Sequence, residues 1–319
     1  MYLYSGDPYR PSDIGAQLSN TKPEVDFTVL SDAPSPLTLD NLNTLNNLPP
    51  ANGSNVYLTS NDDVTTNPSW FYGQTPDSTG STGTATSCAI IVNDHGNGAV
   101  DAFYMYFYAY NYGGTFLGTN LGDHVGDWEH NMVRFSNGVP TAVWYSQHSN
   151  GEAFTYDAVQ KSGLRPITFS ANGSHANYAI TGTHDHTIPD LNLPEGLVED
   201  FTDQGPTWDP TLAAYYYTYD ADSKTFAAYD SRYAFLLLGL RACTDRYSSS
   251  TPVNWLYFIG HWGDDQYPTS DRRQNCFLGI SQLCKFTGGP TGPEDKQLNR
   301  TNVCPDNGNA CIVRPVLTA

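Results

Sequence analysis

Residues 122–130 read GDHVGDWEH. These nine positions hold Asp123, His124, Asp127, Trp128, Glu129 and His130, in a chain with only 33 acidic residues and 8 histidines among 319. Successive side chains of a strand alternate faces. In extended form the segment therefore puts Asp127 and Glu129 on one face and Trp128 and His130 on the other. Two carboxylates about 7 Å apart along a strand suit a shared cation, or a division into acid and base. Mixed carboxylate and imidazole ligands fit Mn, Fe or Zn; carboxylate and water fit Mg or Ca.

Six histidines fall between 124 and 186. His148 closes a strand expected to pair with the one carrying Glu129. His175 lies in NGSHANYA, whose small residues allow close backbone approach. His184-Asp185-His186 puts two imidazoles on one side of an extended segment. Imidazole suits proton transfer near neutral pH, so His175, or His184 and His186, are the candidate acids or bases. Asp127 with Glu129, or Glu129 with Asp185, are candidate carboxylate pairs for glycoside hydrolysis. His95 and His261 stand apart and read as structural. No G-x-S-x-G, P-loop or H-E-x-x-H occurs, and Ser174 beside His175 makes no dyad, because strand neighbours face opposite ways.

The elements that must position these groups are mostly strands. Ala99–Tyr110 (AVDAFYMYFYAY) is aromatic on both faces, as a central covered strand would be. Glu129–Phe135 and Thr141–His148 predict a hairpin about Asn137-Gly138. Leu212–Tyr219 and Lys224–Tyr229 predict a second one, Cys88–Val92 a short strand, and Val253–Ile259 a further strand. Leucines at 39, 42, 45 and 48 predict a short helix over Thr38–Leu48, capped by Thr38 and stopped by Pro49-Pro50. Thr75–Ser87 reads as a loop. The tyrosines at 104, 106, 108, 110, 215, 216, 217 and 219 fit cross-strand packing or sugar stacking. The expected fold is mostly β: a single sandwich-like domain over 1–319. It has an irregular elaboration (1–87), core sheets (88–259) and a Cys/Gly/Pro-rich tail packed on the core (260–319), stapled by disulfides.

Composition narrows the partners. The net charge is −18 with 15 Lys+Arg, which argues against nucleic acid and disfavours an anionic membrane. No apolar run reaches the ~20 residues of a membrane-spanning helix; the longest is Ala234–Leu240. The start of the chain reads as a mature form without leader. Six cysteines (88, 243, 276, 284, 304, 311) without C-x-x-C predict disulfides. Sequons at Asn52, Asn172 and Asn299 are candidate N-glycan sites. Together these predict a secreted monomer.

The segments GDHVGDWEHNMVRF, YSQHSNGE, NGSHANYA, GTHDHTIPDLNLP, HWGDDQYPTSDRRQ and GGPTGPEDKQLNR, in this order, resemble the vacuolar protein sorting-associated protein 62 family over roughly 85–305. That resemblance implies sorting and names no chemistry. His124, Asp127 and Glu129 also resemble the His-Asp-Trp-Glu heptapeptide of necrosis-inducing cytolysin-like proteins. These are secreted β-sandwiches that bind a divalent cation and recognise sphingolipid sugar headgroups. Gly126 replaces that heptapeptide's second histidine, and Asn111 stands where an upstream metal aspartate would be. The resemblance implies a metal set of Asp127, Glu129, His124 and His148.

The reading is a secreted divalent-metal-binding protein (Ca, Mg, Mn or Zn) acting on a glycan or glycolipid, as a polysaccharide-cleaving hydrolase or lyase. Its catalytic groups would be drawn from His175, Glu129, His184, His186 and Asp185. The second reading is a metal-dependent lectin or cytolysin without catalysis. The third is a sorting-related or structural protein with a stabilising cation.

Overall fold

The structure, a computed structural model, describes residues 1–50, 52–185, 198–229 and 251–317. His186, Cys243 and the apolar run Ala234–Leu240 lie outside the described residues.

One eight-stranded sheet dominates. Its strands are β1 (Cys88–Gly96), β2 (Ala99–Asn111), β3 (His124–Ser136), β4 (Val139–Gln147), β5 (Asn150–Thr155), β6 (Ala214–Asp220), β7 (Thr225–Ala228) and β8 (Val313–Arg314). Their spatial order is β7-β6-β1-β2-β3-β4-β5-β8. The pairs β6–β1 and β5–β8 run parallel and the rest antiparallel. Asn137 and Gly138, both at positive φ, close the β3–β4 hairpin, as a tight two-residue turn requires. The two 13-residue strands β2 and β3 form the centre, with Tyr108 opposite Asp127, Phe107 opposite Trp128 and Tyr106 opposite Glu129.

The two faces differ in chemistry. Phe103, Met105, Phe107, Trp128 and Met132 enter the main apolar core. There Trp128, Trp255 and Trp262 pack at centroid distances of 5.3 to 5.7 Å. A short helix, Ile14–Asn20, adds Ile14 and Leu18 to this core and is capped by the Asp13 carboxylate. The opposite face presents Tyr106 and Tyr108 beside Asp127, Glu129 and Asn131, so the polar groups collect there. Small sheets and 3-10 turns cover the large sheet, among them the three-stranded Thr28–Val29/Thr21–Val25/Tyr57–Ser60.

Two local expectations are corrected. Thr38–Leu48 is not an α-helix capped by Thr38. It is a 3-10 turn over Leu42–Asn47 without a side-chain cap, which buries Leu42 and Leu45, while Leu39 enters the same core from outside the turn. Val253–Ile259 is not a strand. A 3-10 turn, Asn254–Tyr257, drives Trp255 and Leu256 into the core as a plug. Disulfides join Cys276 to Cys284 and Cys304 to Cys311, while Cys88 is buried and free. The tail packs on the core through Leu298, Val303 and Cys304.

Candidate functional site

The site forms where β3 begins, on the tyrosine face. Gly126 makes it possible. Its φ is +66°, and a Cβ there would overlap the Trp262 carbonyl; only glycine combines that backbone with that approach. The resulting kink turns His124 back on itself, so that its Nδ1 meets the Gly126 carbonyl at 2.7 Å. Nδ1 therefore carries the proton, and Nε2 keeps its lone pair. Burial lowers the His124 pKa.

His175 is the hub. Its Nδ1 lies 2.8 Å from Asp127 Oδ2 and its Nε2 3.4 Å from Asp7 Oδ2. The ring stacks on Tyr108 at 3.6 Å. His175 is 1% exposed, and Asp7 and Asp127 are 4% and 5% exposed. Burial opposes its charge, but the hydrogen bond from Nδ1 to Asp127 and the nearby carboxylates of Asp127 and Asp7 outweigh it, raising the pKa to about 9. Asp7 also accepts from the backbone of Tyr9 and Gly173, tying the N-terminal segment to the loop that carries His175.

A second knot lies beside it. His148 Nε2 is 2.8 Å from Asp200 Oδ2. Asp200 also accepts from the Ser174 hydroxyl (2.5 Å) and the Tyr178 hydroxyl (2.7 Å). Burial again opposes the charge on His148, yet Asp200, Glu129 and Asp127 raise its pKa to about 8. His184 stacks on Tyr178 at 3.8 Å and bonds Thr202 through Nε2.

Glu129 lies between these knots. Burial, then the neighbouring Asp127 charge, pushes its pKa up to about 8, which favours its neutral form. Its Oε2 is buried without a hydrogen-bond partner. Asp123 is a separate case. Burial raises it to about 6, and Gly113 N–H and the Tyr110 hydroxyl bond it.

The alternation argument is met: Asp127 and Glu129 share the polar face, while Trp128 joins the core and His130 accepts a 2.7 Å bond from Arg300. The sequence clusters His124, Asp127, Glu129, His148 and His175, and the structure brings them together. His184 stacks on Tyr178 and bonds Thr202, and Asp185 is exposed opposite Glu199 on a separate ribbon. His95 pairs with Asp101 and His261 stacks on Tyr57, both away from this cluster. Asp7 and Asp200 were missed. Their partners lie 168 and 52 residues away, and no local spacing marks such pairs.

The implied cation finds no ready cage. Among the described residues, no three His, Cys, Asp or Glu side chains are placed to hold a metal. His148 Nε2 faces Asp200, Asp127 Oδ2 is taken by His175, and Asn111 bonds the Gly122 carbonyl. An imidazolium sits between Asp7 and Asp127, where a cation would be sought. This arrangement does not fit the metal set, and no step is derived through a metal.

Comparisons with known proteins decide the family. A family model described as Vps62, vacuolar protein sorting-associated protein 62, matches residues 114–200. A Saccharomyces cerevisiae protein named putative vacuolar protein sorting-associated protein TDA6 is 37% identical over 95% of this chain and 66% of its own length. The chain belongs to the Vps62 family. Vacuolar protein sorting-associated protein 62 of the same yeast is 33% identical over 78% of this chain and 52% of its own length. The chain thus spans about two thirds and about half of these relatives. No solved structure matches.

Two expectations are corrected by these findings. Both relatives carry sorting names, and neither is named a hydrolase or a carbohydrate-active protein. The secreted, metal-dependent glycan-cleaving enzyme is therefore set aside. His175 and His148, expected as candidate acids, bases or ligands, are each held against a buried carboxylate. Secretion is set aside as well, because the relatives' names point to the vacuolar system. Disulfides persist in an oxidising compartment, a condition that the endomembrane lumen meets as well as the cell exterior does.

Proposed function

We propose that this chain acts in vacuolar protein sorting, from within the endomembrane lumen, as a binding or structural factor. The observation that carries the reading is the 37% identity to a sorting-associated protein over 95% of the chain. The two disulfides support a lumenal position, since cytosolic thiols are kept reduced. The site supports a structural role. Asp7, Asp127 and His175 join the N-terminal segment, the central strand and the 173–175 loop, while Asp200, His148, Ser174 and Tyr178 tie the Glu199–Thr202 ribbon to the sheet. These are connections that hold a surface in shape for a partner.

The test is a chimera. The matched segment of the yeast relative is replaced by this chain, and retention of vacuolar cargo is scored in cells lacking that relative. Restored retention supports the reading. Cargo lost to the medium, with the chimera folded and oxidised in the lumen, overturns it.

A further inference from the structure

Three sequons, Asn52-Gly53-Ser54, Asn172-Gly173-Ser174 and Asn299-Arg300-Thr301, occur in the chain, and the fold treats them differently. An N-linked oligosaccharide is bulky and must stand in water. The asparagine amide nitrogen therefore has to face solvent in the finished fold.

At Asn52 it does. The residue is exposed. Its Oδ1 accepts from the Ser54 hydroxyl (3.1 Å) and from the Asn55 N–H (3.2 Å), the local turn that asparagine favours. With Oδ1 taken up by the turn, Nδ2 is the amide atom left to solvent. Gly53 has φ +80°, and a Cβ there would meet Ile259 and the Asn46 backbone. The chain is thus pressed against the 3-10 turn Leu42–Asn47 with Asn52 on the outside.

Asn299 points outward for a different reason. Its neighbours Leu298 and Arg300 are 4% and 2% exposed. Leu298 enters the main core, and Arg300 donates to His130 Nε2 and to the Lys296 carbonyl. Between these two buried residues Asn299 is exposed, as is Thr301, which bears the sequon hydroxyl. Arg134 fixes the stretch by donating to the Arg300 and Thr301 carbonyls.

Asn172 is the opposite case. It is half-buried, and its sequon is tied down at every position. The Asn172 N–H donates to the Phe201 carbonyl, the Gly173 N–H to Asp7, and the buried Ser174 hydroxyl to Asp200. A sugar here would stand among the bonds that hold the His175 loop.

We infer that Asn52 and Asn299 carry N-linked oligosaccharides and that Asn172 stays bare. The donor is an oligosaccharide on a lipid pyrophosphate. A bond from Nδ2 to the anomeric carbon replaces the carbon–oxygen bond to the pyrophosphate, which leaves with its electron pair, and Nδ2 gives up one proton. Nothing is oxidised or reduced. Both modified residues lie in the layer over the tryptophan core, where Asn52 leads into Val56 and Asn299 follows Leu298. The Asn172 loop lies over the tyrosine face, where His175 stacks on Tyr108. The sugars therefore clothe one side of the large sheet and leave the side with the buried histidines free. The inference rests on the lumenal position proposed above, where such transfer takes place.

The full chain is expressed in yeast behind a cleaved signal peptide, and its disulfide-bonded form is purified. A glycosidase that cuts the asparagine–sugar bond leaves aspartate at each occupied position, and peptide masses identify those positions. Aspartate is expected at positions 52 and 299, and unaltered asparagine at 172. Asn52→Gln and Asn299→Gln should each remove one oligosaccharide from the intact mass, and the double variant both. A folded, disulfide-bonded chain that lacks sugar at Asn52 or Asn299, or carries it at Asn172, overturns the inference. The signal peptide secures entry to the lumen, so this failure leaves the sorting reading standing; that reading falls instead by loss of cargo in the chimera.

Discussion

Replacing His175 with Asn removes the positive charge between Asp7 and Asp127. Asn tolerates the φ of +55° at this position, so the backbone survives the change. Asp7 and Asp127 remain, 4% and 5% exposed, without their shared partner. Breaking a buried pair from one side costs about 3–5 kcal/mol, and loss of the ring stacked on Tyr108 adds about 0.5–1.5 kcal/mol. Relief through local water entry offsets part of this, leaving about 4 kcal/mol. At about 2.1 cal/mol/K per residue over 319 residues, the melting temperature should fall by about 6 °C at pH 6. The raised pKa of His175, about 9, sets the pH dependence. Its pairing stabilises the fold fully below the unfolded value near 6.5 and is lost as pH rises through about 9. The penalty for His175→Asn should therefore shrink above pH 9. Calorimetry of wild type, Asp127→Asn, His175→Asn and the double variant gives the coupling. A shift under 1 °C, or strict additivity of the two changes, would refute the paired-charge account.

Further outcomes follow from the same geometry. The wild-type fold should be most stable near pH 5–6 and lose stability towards pH 9. His148 and His175, raised to about 8 and 9, lose favourable charge as pH rises, while Asp123 and Glu129, raised to about 6 and 8, must ionise in burial; a melting curve flat from pH 5 to 9 would contradict this. Gly126→Ala should cost more than about 1 kcal/mol, since both its φ and the Trp262 carbonyl reject a Cβ, read by denaturant midpoint. Four of the cysteines should resist thiol reagents in the native oxidised chain, and Cys88 should react only on unfolding, read by mass. EDTA should leave the melting temperature unchanged, because His175 already bridges Asp7 and Asp127.

Local periodicity made the central sheet legible. The period of two correctly sent Asp127 and Glu129 to one face and Trp128 to the other, and Asn137-Gly138 marked its hairpin. Apolar runs without clear period misled. Val253–Ile259 has the composition of a buried strand, but Trp255 and Leu256 fill the core from a 3-10 turn. The site was half legible. A concentration of histidines located it, but what each imidazole does depends on Asp7 and Asp200, which tertiary packing brings in.

Glu129→Gln tests the central claim most directly. Burial favours the neutral form of Glu129, and glutamine keeps the shape of that form. In the yeast chimera this variant should retain vacuolar cargo as the unaltered chimera does, with an unchanged melting temperature. Loss of cargo retention in a variant that melts normally would show that the carboxyl group acts chemically, and would contradict the account.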